Sequence, residues 1–360
     1  MSILFEPVRL GELQLANRIV MAPMTRSRAD ARAVPGAEMV EYYRQRAGAG
    51  LIVAEGTAPS ANGLGYCRTP AIHGPEHIAA WRKVTEAVHA EGGRIVLQLM
   101  HVGRAASRFN KPEGAATVAP SAIRAQTQVF SDAQGMVDTE MPEALSLEGI
   151  AAVIGEYRQA ALNAREAGFD GVELHCTSGY LPMQFLASGS NQRSDAYGGS
   201  AQNRVRFVAE TVQAMAEAVG AGRVAVRMCP GNPYNDIHDD DPAGTAIALC
   251  QALQPLSLAY LHVMRSPVSG LDAFGLARQH AGQKLILNDG FDGESARAAL
   301  EAGEGVAVSF GRHFIGNPDL VERLRRGQPL AGFERKTLYT IGSRGYTDYP
   351  TFSQALEVTP

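Results

Sequence analysis

The side chains best equipped for chemistry in this 360-residue chain each close a short apolar run. In His175-Cys176-Thr177-Ser178-Gly179-Tyr180 an imidazole that can hold a carbonyl oxygen is followed closely by a phenol that can pass a proton. The competing reading of a lone histidine is a satisfied core residue. Arg227 ends another apolar run, and a guanidinium buried there needs an anion or a polarised oxygen. A structural pair with Glu173 is the alternative. Gln98 carries a donor and an acceptor on one amide, which suits a heterocycle edge or a loop backbone equally. Asn288-Asp289-Gly290 and Ser309-Phe310-Gly311-Arg312 join glycines, which let backbone approach a ligand, to a planar cation that can grip phosphate in two places. The plainer reading has the glycines turning the chain and Arg312 on the surface. His101 and His175 are too isolated in sequence to argue a zinc site, so no metal is expected.

These residues must be held by the elements they terminate. Eight apolar runs rich in Val, Ile and Leu read as strands buried on both faces: 18–23, 51–56, 95–101, 171–175, 224–228, 259–264, 284–287 and 306–310. Helical patterns follow each of them, at 39–47, 75–90, 147–167, 203–219, 244–253, 273–280, 294–301 and 318–325. Eight alternating strands and helices predict an α/β fold, a (β/α)8 TIM barrel, whose chemistry gathers where the strands end. Phosphate is commonly held after strands seven and eight of such barrels, which favours that role for Gly311 and Arg312. Residues 4–15 alternate and turn at Gly11, predicting an N-terminal hairpin able to plug the barrel floor. Residues 102–145, after strand three, are too long for an ordinary loop and predict a lid insertion with its own hairpin near 122–139.

Composition narrows the function classes. The chain is 45% hydrophobic and 19% charged, with net charge −4, so it lacks the basic footprint of a nucleic-acid partner. Cys67, Cys176, Cys229 and Cys250 show no CxxC spacing and read as free thiols in a reducing compartment. The start has no basic segment ahead of a long apolar one, and no run approaches a membrane span. The expectation is a cytoplasmic protein, one barrel domain over 1–360, with a small-molecule substrate, no membrane or nucleic-acid partner, and a monomeric or homodimeric state.

Several long motifs, in order along almost the whole chain, resemble the old yellow enzyme family. They are Leu15-Ala-Asn-Arg-Ile-Val-Met-Ala-Pro-Met-Thr-Arg-Ser-Arg28, Leu97-Gln-Leu-Met-His-Val-Gly-Arg104, Gly168-Phe-Asp-Gly-Val-Glu-Leu-His175, Ser190-Asn-Gln-Arg-Ser-Asp-Ala-Tyr-Gly-Gly199, Gly311-Arg-His-Phe-Ile-Gly-Asn-Pro-Asp-Leu320 and Gly345-Tyr-Thr-Asp-Tyr-Pro350. The resemblance implies bound FMN across the barrel mouth and NAD(P)H as reductant. It places Pro23, Met24 and Thr25 against the flavin, with Thr25 on O4, and Gly56 where a small residue meets the ring. Gln98 and Arg227 fall on the pyrimidine edge, which turns the reading of Arg227 towards the cofactor. Asp289, Gly290, Gly311 and Arg312 fall on the phosphate. His175 matches the donor to the substrate oxygen, Tyr180 the proton donor, and Tyr66 and Tyr339 the aromatic residues on the substrate side. The implied reaction is reduction of activated alkenes (enones, enals, maleimides, nitroalkenes) by hydride from flavin N5 and a proton from Tyr180.

Two positions depart from the family pattern. Ser178 stands where a second His or Asn usually follows the first, and its shorter hydroxyl reaches less far; losing one such donor costs roughly 10²–10³ in rate. Met100 stands where many bacterial members have Trp, which enlarges or softens the pocket. A flavin-binding barrel with weakened ene-reduction, acting as an isomerase or on an atypical substrate, is therefore one rival. A glycoside hydrolase using Glu173 and Asp289 as its two carboxylates is another.

Overall fold

The computed structural model describes residues 2–358. Eight parallel strands close into a barrel: β1 (Ile19–Met21), β2 (Leu51–Thr57), β3 (Ile95–Leu99), β4 (Gly171–Cys176), β5 (Val224–Met228), β6 (Tyr260–Met264), β7 (Leu285–Asn288) and β8 (Ala307–Phe310). The ring closes where β8 pairs with β1, Val308 opposite Ile19. The helices that alternate with these strands are α1 (Ala37–Arg44), α2 (Pro75–Ala90), α3 (Leu147–Glu166), α4 (Arg206–Val219), α5 (Pro242–Leu253), α6 (Ala273–His280), α7 (Gly293–Glu301) and α8 (Leu320–Arg326). The expected alternation is present in full, because strands that bury both faces leave their outer face for helices to cover. Strand side chains such as Leu97, Leu174, Val226 and Leu261 pack outward against Trp81, Tyr157, Phe207 and Leu249 of those helices.

Inside the barrel the lower layer is apolar. Val20, Val53, Val96, Ala225 and Ile286 meet Leu10, Leu13 and Leu15 of the N-terminal hairpin, whose strands are Val8–Leu10 and Leu13–Leu15. The hairpin closes the floor as expected. Gly11 turns it at φ +56, where a side chain would also strike Ala259 and the Gly222 carbonyl. Burial of each of those leucines is worth about 2 kcal/mol. The insertion after β3 holds the hairpin Gln128–Ser131 with Gly135–Asp138, and its ends are joined by Val118–Ala119 pairing with Glu143–Ala144.

Two helix starts correct the sequence reading. The helix expected from 203 begins at Ala201, since Ser200 accepts the Asn203 N–H, and is interrupted at Val205 before α4. The helix expected from Gly244 begins at Pro242, because Asp241 accepts the Gly244 N–H and proline suits the first helical position.

Candidate active site at the barrel mouth

Parallel register brings residues from distant strands into one layer. His175 of β4 lies beside Arg227 of β5, and Arg227 beside His262 of β6. Arg227 is 7% exposed; its Nη2 donates to Asn288 Oδ1 at 2.8 Å, and its Nη1 has no partner. The Glu173 pair weighed from sequence is therefore not its hydrogen-bonded partner. His175 is 9% exposed and its Nδ1 is also unpartnered. Burial and then the Arg227 charge push the His175 pKa down to about 3, so the ring stays neutral. The buried guanidinium calls for an acceptor, and the buried neutral imidazole for a hydrogen-bond partner, from outside the chain. A planar heterocycle with an anionic edge fits both.

Below this layer Glu173, fully buried, accepts from three side chains. Gln98 Nε2 lies at 2.8 Å, Tyr260 Oη at 3.1 Å and His262 Nδ1 at 2.9 Å. His262 Nε2 in turn meets Ser309 Oγ at 2.7 Å. The carboxylate is held ionised by His262, Arg227 and Gln98 against the effect of burial. Gln98 is thus bonded to a carboxylate rather than to loop backbone. Its amide nitrogen is turned towards Glu173, which leaves its carbonyl oxygen as the group to meet a ligand donor. From sequence Glu173 stands only as a partner for Arg227 or as a hydrolase acid, Ser309 stands in the strand-eight motif without a role of its own, and no pattern singles out His262.

A cleft of about 740 Å³ runs from Arg227 to the ends of β7 and β8. It gathers Pro23, Met24, Asp289, Gly290, Gly311 and Arg312, together with Asn288, Phe333 and Arg335. Asp289 and Gly290 both have positive φ, +80 and +76, a left-handed pair in which a non-glycine residue is strained. A methyl group added to Gly311 would meet nothing nearer than Met24 Sδ at 3.5 Å, an ordinary contact. Packing within the protein therefore does not demand glycine there, and close approach of a ligand to the backbone would. Arg312 is largely exposed, 3.8 Å from Asp289, and free to turn towards an anion. Arg335 has no signal in the sequence pattern: it opens a single 3-10 turn, Arg335–Thr337, after α8 and outside the strand–helix repeat.

The other side of the mouth is aromatic. Tyr180 is 8% exposed, with its ring edge-on to His175 at 4.9 Å and to Tyr66 at 6.0 Å. It packs with Met100, Val102, Ala105 and Ala106. Burial lifts the Tyr180 pKa well above 10 and that of Tyr66 to about 12, so both phenols remain protonated. Ser178 is half-buried in the left-handed region at φ +58. Gly56 sits where the β2–β3 register shifts; a methyl group there would lie 2.5 Å from Met100 Sδ. Thr25 is half-buried just beyond the end of β1. Tyr339 is 60% exposed, at the rim.

His101, also at a strand end, is wholly buried and its Nδ1 accepts the Gly103 N–H. Among the described residues no cluster of three or more His, Cys, Asp or Glu could hold a metal ion. The four cysteines are free thiols.

A profile of the NADH:flavin oxidoreductase / NADH oxidase family matches residues 3–331. The chain belongs to this family, that of old yellow enzyme. Among curated relatives it is 41% identical to a probable flavin mononucleotide-dependent alkene reductase of Leishmania infantum, covering 97% of each chain. It is 40% identical to 12-oxophytodienoate reductase 7 of Oryza sativa subsp. japonica, over 98% of this chain and 95% of the relative. Among solved structures it matches morphinone reductase in complex with tetrahydroNAD, with TM-score 0.93, 44% identity and 97% of each chain covered. The old yellow enzyme family is one of FMN-dependent oxidoreductases. No helix among the described residues is long and apolar enough to cross a membrane.

Proposed function

We propose that the whole chain is one FMN-binding barrel that reduces activated alkenes at the expense of NAD(P)H. The observation that carries this reading is the pair of buried, unpartnered polar atoms, Arg227 Nη1 and His175 Nδ1, side by side in one layer. Arg227 and Gln98 would take the pyrimidine edge of the flavin, and Asp289, Gly290, Gly311 and Arg312 its phosphate. Pro23, Met24, Thr25 and Gly56 would line the ring. FMN, when bound, supplies the redox chemistry, accepting hydride from NAD(P)H and delivering it to the β-carbon of the alkene.

The chain's own residues do the rest. Neutral His175 donates a ring N–H to the activating carbonyl or nitro oxygen and withdraws electron density from the double bond. Tyr180, kept protonated by burial, gives its hydroxyl proton to the α-carbon. Tyr66, Met100, Ser178 and Tyr339 shape the space in which the alkene lies. Solvent is excluded on the Tyr180 side by the packing of Met100, Val102 and Ala105. This supports a donor pair, one on the oxygen and one on the carbon, as the catalytic device.

The test begins with protein made under ample riboflavin. It is expected to be yellow, to bleach under anaerobic NADPH, and to regain colour on addition of an enone, a maleimide or a nitroalkene. Colourless protein that takes up no added FMN would end this reading. Bleaching without recovery across the whole substrate panel would favour the weakened-reductase alternative that Ser178 raises.

A further inference from the structure

β2 breaks its alternation just below the mouth. Leu51 and Val53 face the barrel interior, and Ile52 and Ala54 face the helices. An unbroken strand would therefore turn Glu55 inward. The register against β3 shifts after Ala54, so that Ala54 pairs with Leu97 and Thr57 with Leu99. One extra residue is thereby fitted into β2, a bulge of the kind that re-aims a side chain. Glu55, fully buried, meets Tyr43 of α1 instead. Its N–H donates to Tyr43 Oη at 2.9 Å, and its Oε1 accepts the Tyr43 hydroxyl at 3.3 Å. Its Oε2 accepts the Arg26 N–H at 3.2 Å.

That last bond reaches the segment in which Thr25 stands. β1 ends at Met21, and Ala22 still donates to the Phe310 carbonyl. The next backbone donor to find a carbonyl is Ala29, on Arg68. Of the backbone N–H groups from Met24 to Arg28, only that of Arg26 has a partner among the described residues. The Arg26 guanidinium is engaged elsewhere, on Tyr42 Oη and the carbonyls of Leu338 and Gly345. What Glu55 holds is the peptide between Thr25 and Arg26. A peptide is planar, so fixing its N–H fixes the Thr25 carbonyl with it and constrains where the Thr25 side chain points. Burial lifts the Glu55 pKa to about 7, against the Arg26 N–H, the charge of Arg26, the Tyr43 hydroxyl and the charge of Arg28; Tyr346 faces it as well. Either form of the carboxyl keeps an oxygen for the Arg26 N–H.

We propose that Glu55 is a positioning residue: by gripping the Thr25–Arg26 peptide it holds the Thr25 hydroxyl against the flavin, and through that contact it sets the reduction potential of the bound cofactor. The proposal rests on the reading that FMN lies against Thr25. A hydroxyl that donates to the ring favours the electron-rich reduced cofactor over the oxidised one. A Thr25 that is free to drift loses that preference.

The test measures the reduction potential of the FMN-loaded protein against a reference dye at pH 6. That lies below the Glu55 pKa, so wild type and Glu55→Gln carry the same charge at this position. Glu55→Gln keeps an acceptor oxygen and should leave the ratio of reduced to oxidised flavin within about twofold of wild type. Glu55→Met keeps the bulk and removes the acceptor; the ratio should fall about tenfold, which is about 30 mV for two electrons. Thr25→Ala should fall at least as far. Adding Glu55→Met to it should lower the ratio no further, since a residue that acts through Thr25 then has nothing left to position. If Glu55→Met does not fold, Glu55→Ala removes the same acceptor and is read in the same way. A wild-type potential in Glu55→Met beside a lowered one in Thr25→Ala would overturn the role of Glu55. Equal falls in the Gln and Met variants, or additive falls in the double variant, would overturn it too. A wild-type potential in Thr25→Ala would instead overturn the reading of Thr25 on which the proposal rests.

Discussion

At the scale of single residues, the site is set by which polar atoms are left without partners. Ser178 holds a left-handed φ that asparagine adopts more readily than most residues, so Ser178→Asn fits the backbone and restores a longer donor. Enone turnover is expected to rise by about tenfold or more, with tighter binding of phenols that stack in the site. An unchanged rate together with unchanged phenol affinity would show that the short hydroxyl is no handicap. Glu173 is a buried carboxylate beneath the proposed flavin site, and it stands against the positive charge of Arg227. Its replacement in Glu173→Gln removes a buried negative charge and favours the anionic reduced cofactor. The reduction potential of the bound flavin should rise by about 30 mV, roughly 1.4 kcal/mol for two electrons, measured against a reference dye. A fall in potential would mean that the carboxylate acts chiefly by orienting Gln98.

At the scale of elements, the strand ends are braced by segments far away in sequence. Arg26 and Arg28 follow directly on Pro23-Met24-Thr25. Arg26, fully buried, donates to the carbonyls of Leu338 and Gly345. Arg28 donates to those of Thr337, Leu338 and Arg344. The two guanidiniums stack on Tyr346, which stacks on Tyr42 of α1. They tie the segment bearing Tyr339 to the end of β1, so the rim of the site is fixed by charge-assisted hydrogen bonds to backbone rather than by helix packing. Arg28→Ala should lower the unfolding free energy by about 2–4 kcal/mol and open residues 337–345 to proteolysis. Loss of stability without new cleavage there would contradict this bracing role. A second brace is steric: Gly56→Ala places a methyl group against Met100, and overpacking of about 1–3 kcal/mol is expected. Met100→Ala in the same chain should restore most of it, read by denaturant unfolding.

At the scale of the molecule, neutral buried histidines tie stability to pH. His175 has its pKa pushed from 6.5 down to about 3 by burial and by Arg227. Between those values the unfolded chain binds a proton that the folded chain refuses, so stability falls as pH falls through that window. Compared with His175→Asn, the wild type should lose about 2 kcal/mol more unfolding free energy between pH 7 and pH 5, by denaturant titration at fixed FMN. The amino-acid sequence by itself determined the barrel, its floor, its lid and the strand ends at which Gln98, His175, Arg227, Asp289 and Arg312 stand. Those features follow from local period and from turn residues, which act over a few positions. It also carried the likeness to a flavoenzyme family, because long motifs survive as strings. Only the tertiary structure decided which atoms meet. Glu173 found Gln98, Tyr260 and His262 rather than Arg227, Asn235 reached Tyr66 across 169 positions, and Arg26 and Arg28 gripped a segment more than 300 residues away. Closing eight staggered strands into a ring fixes neighbours through register and loop path, and neither is written in the period of any single element.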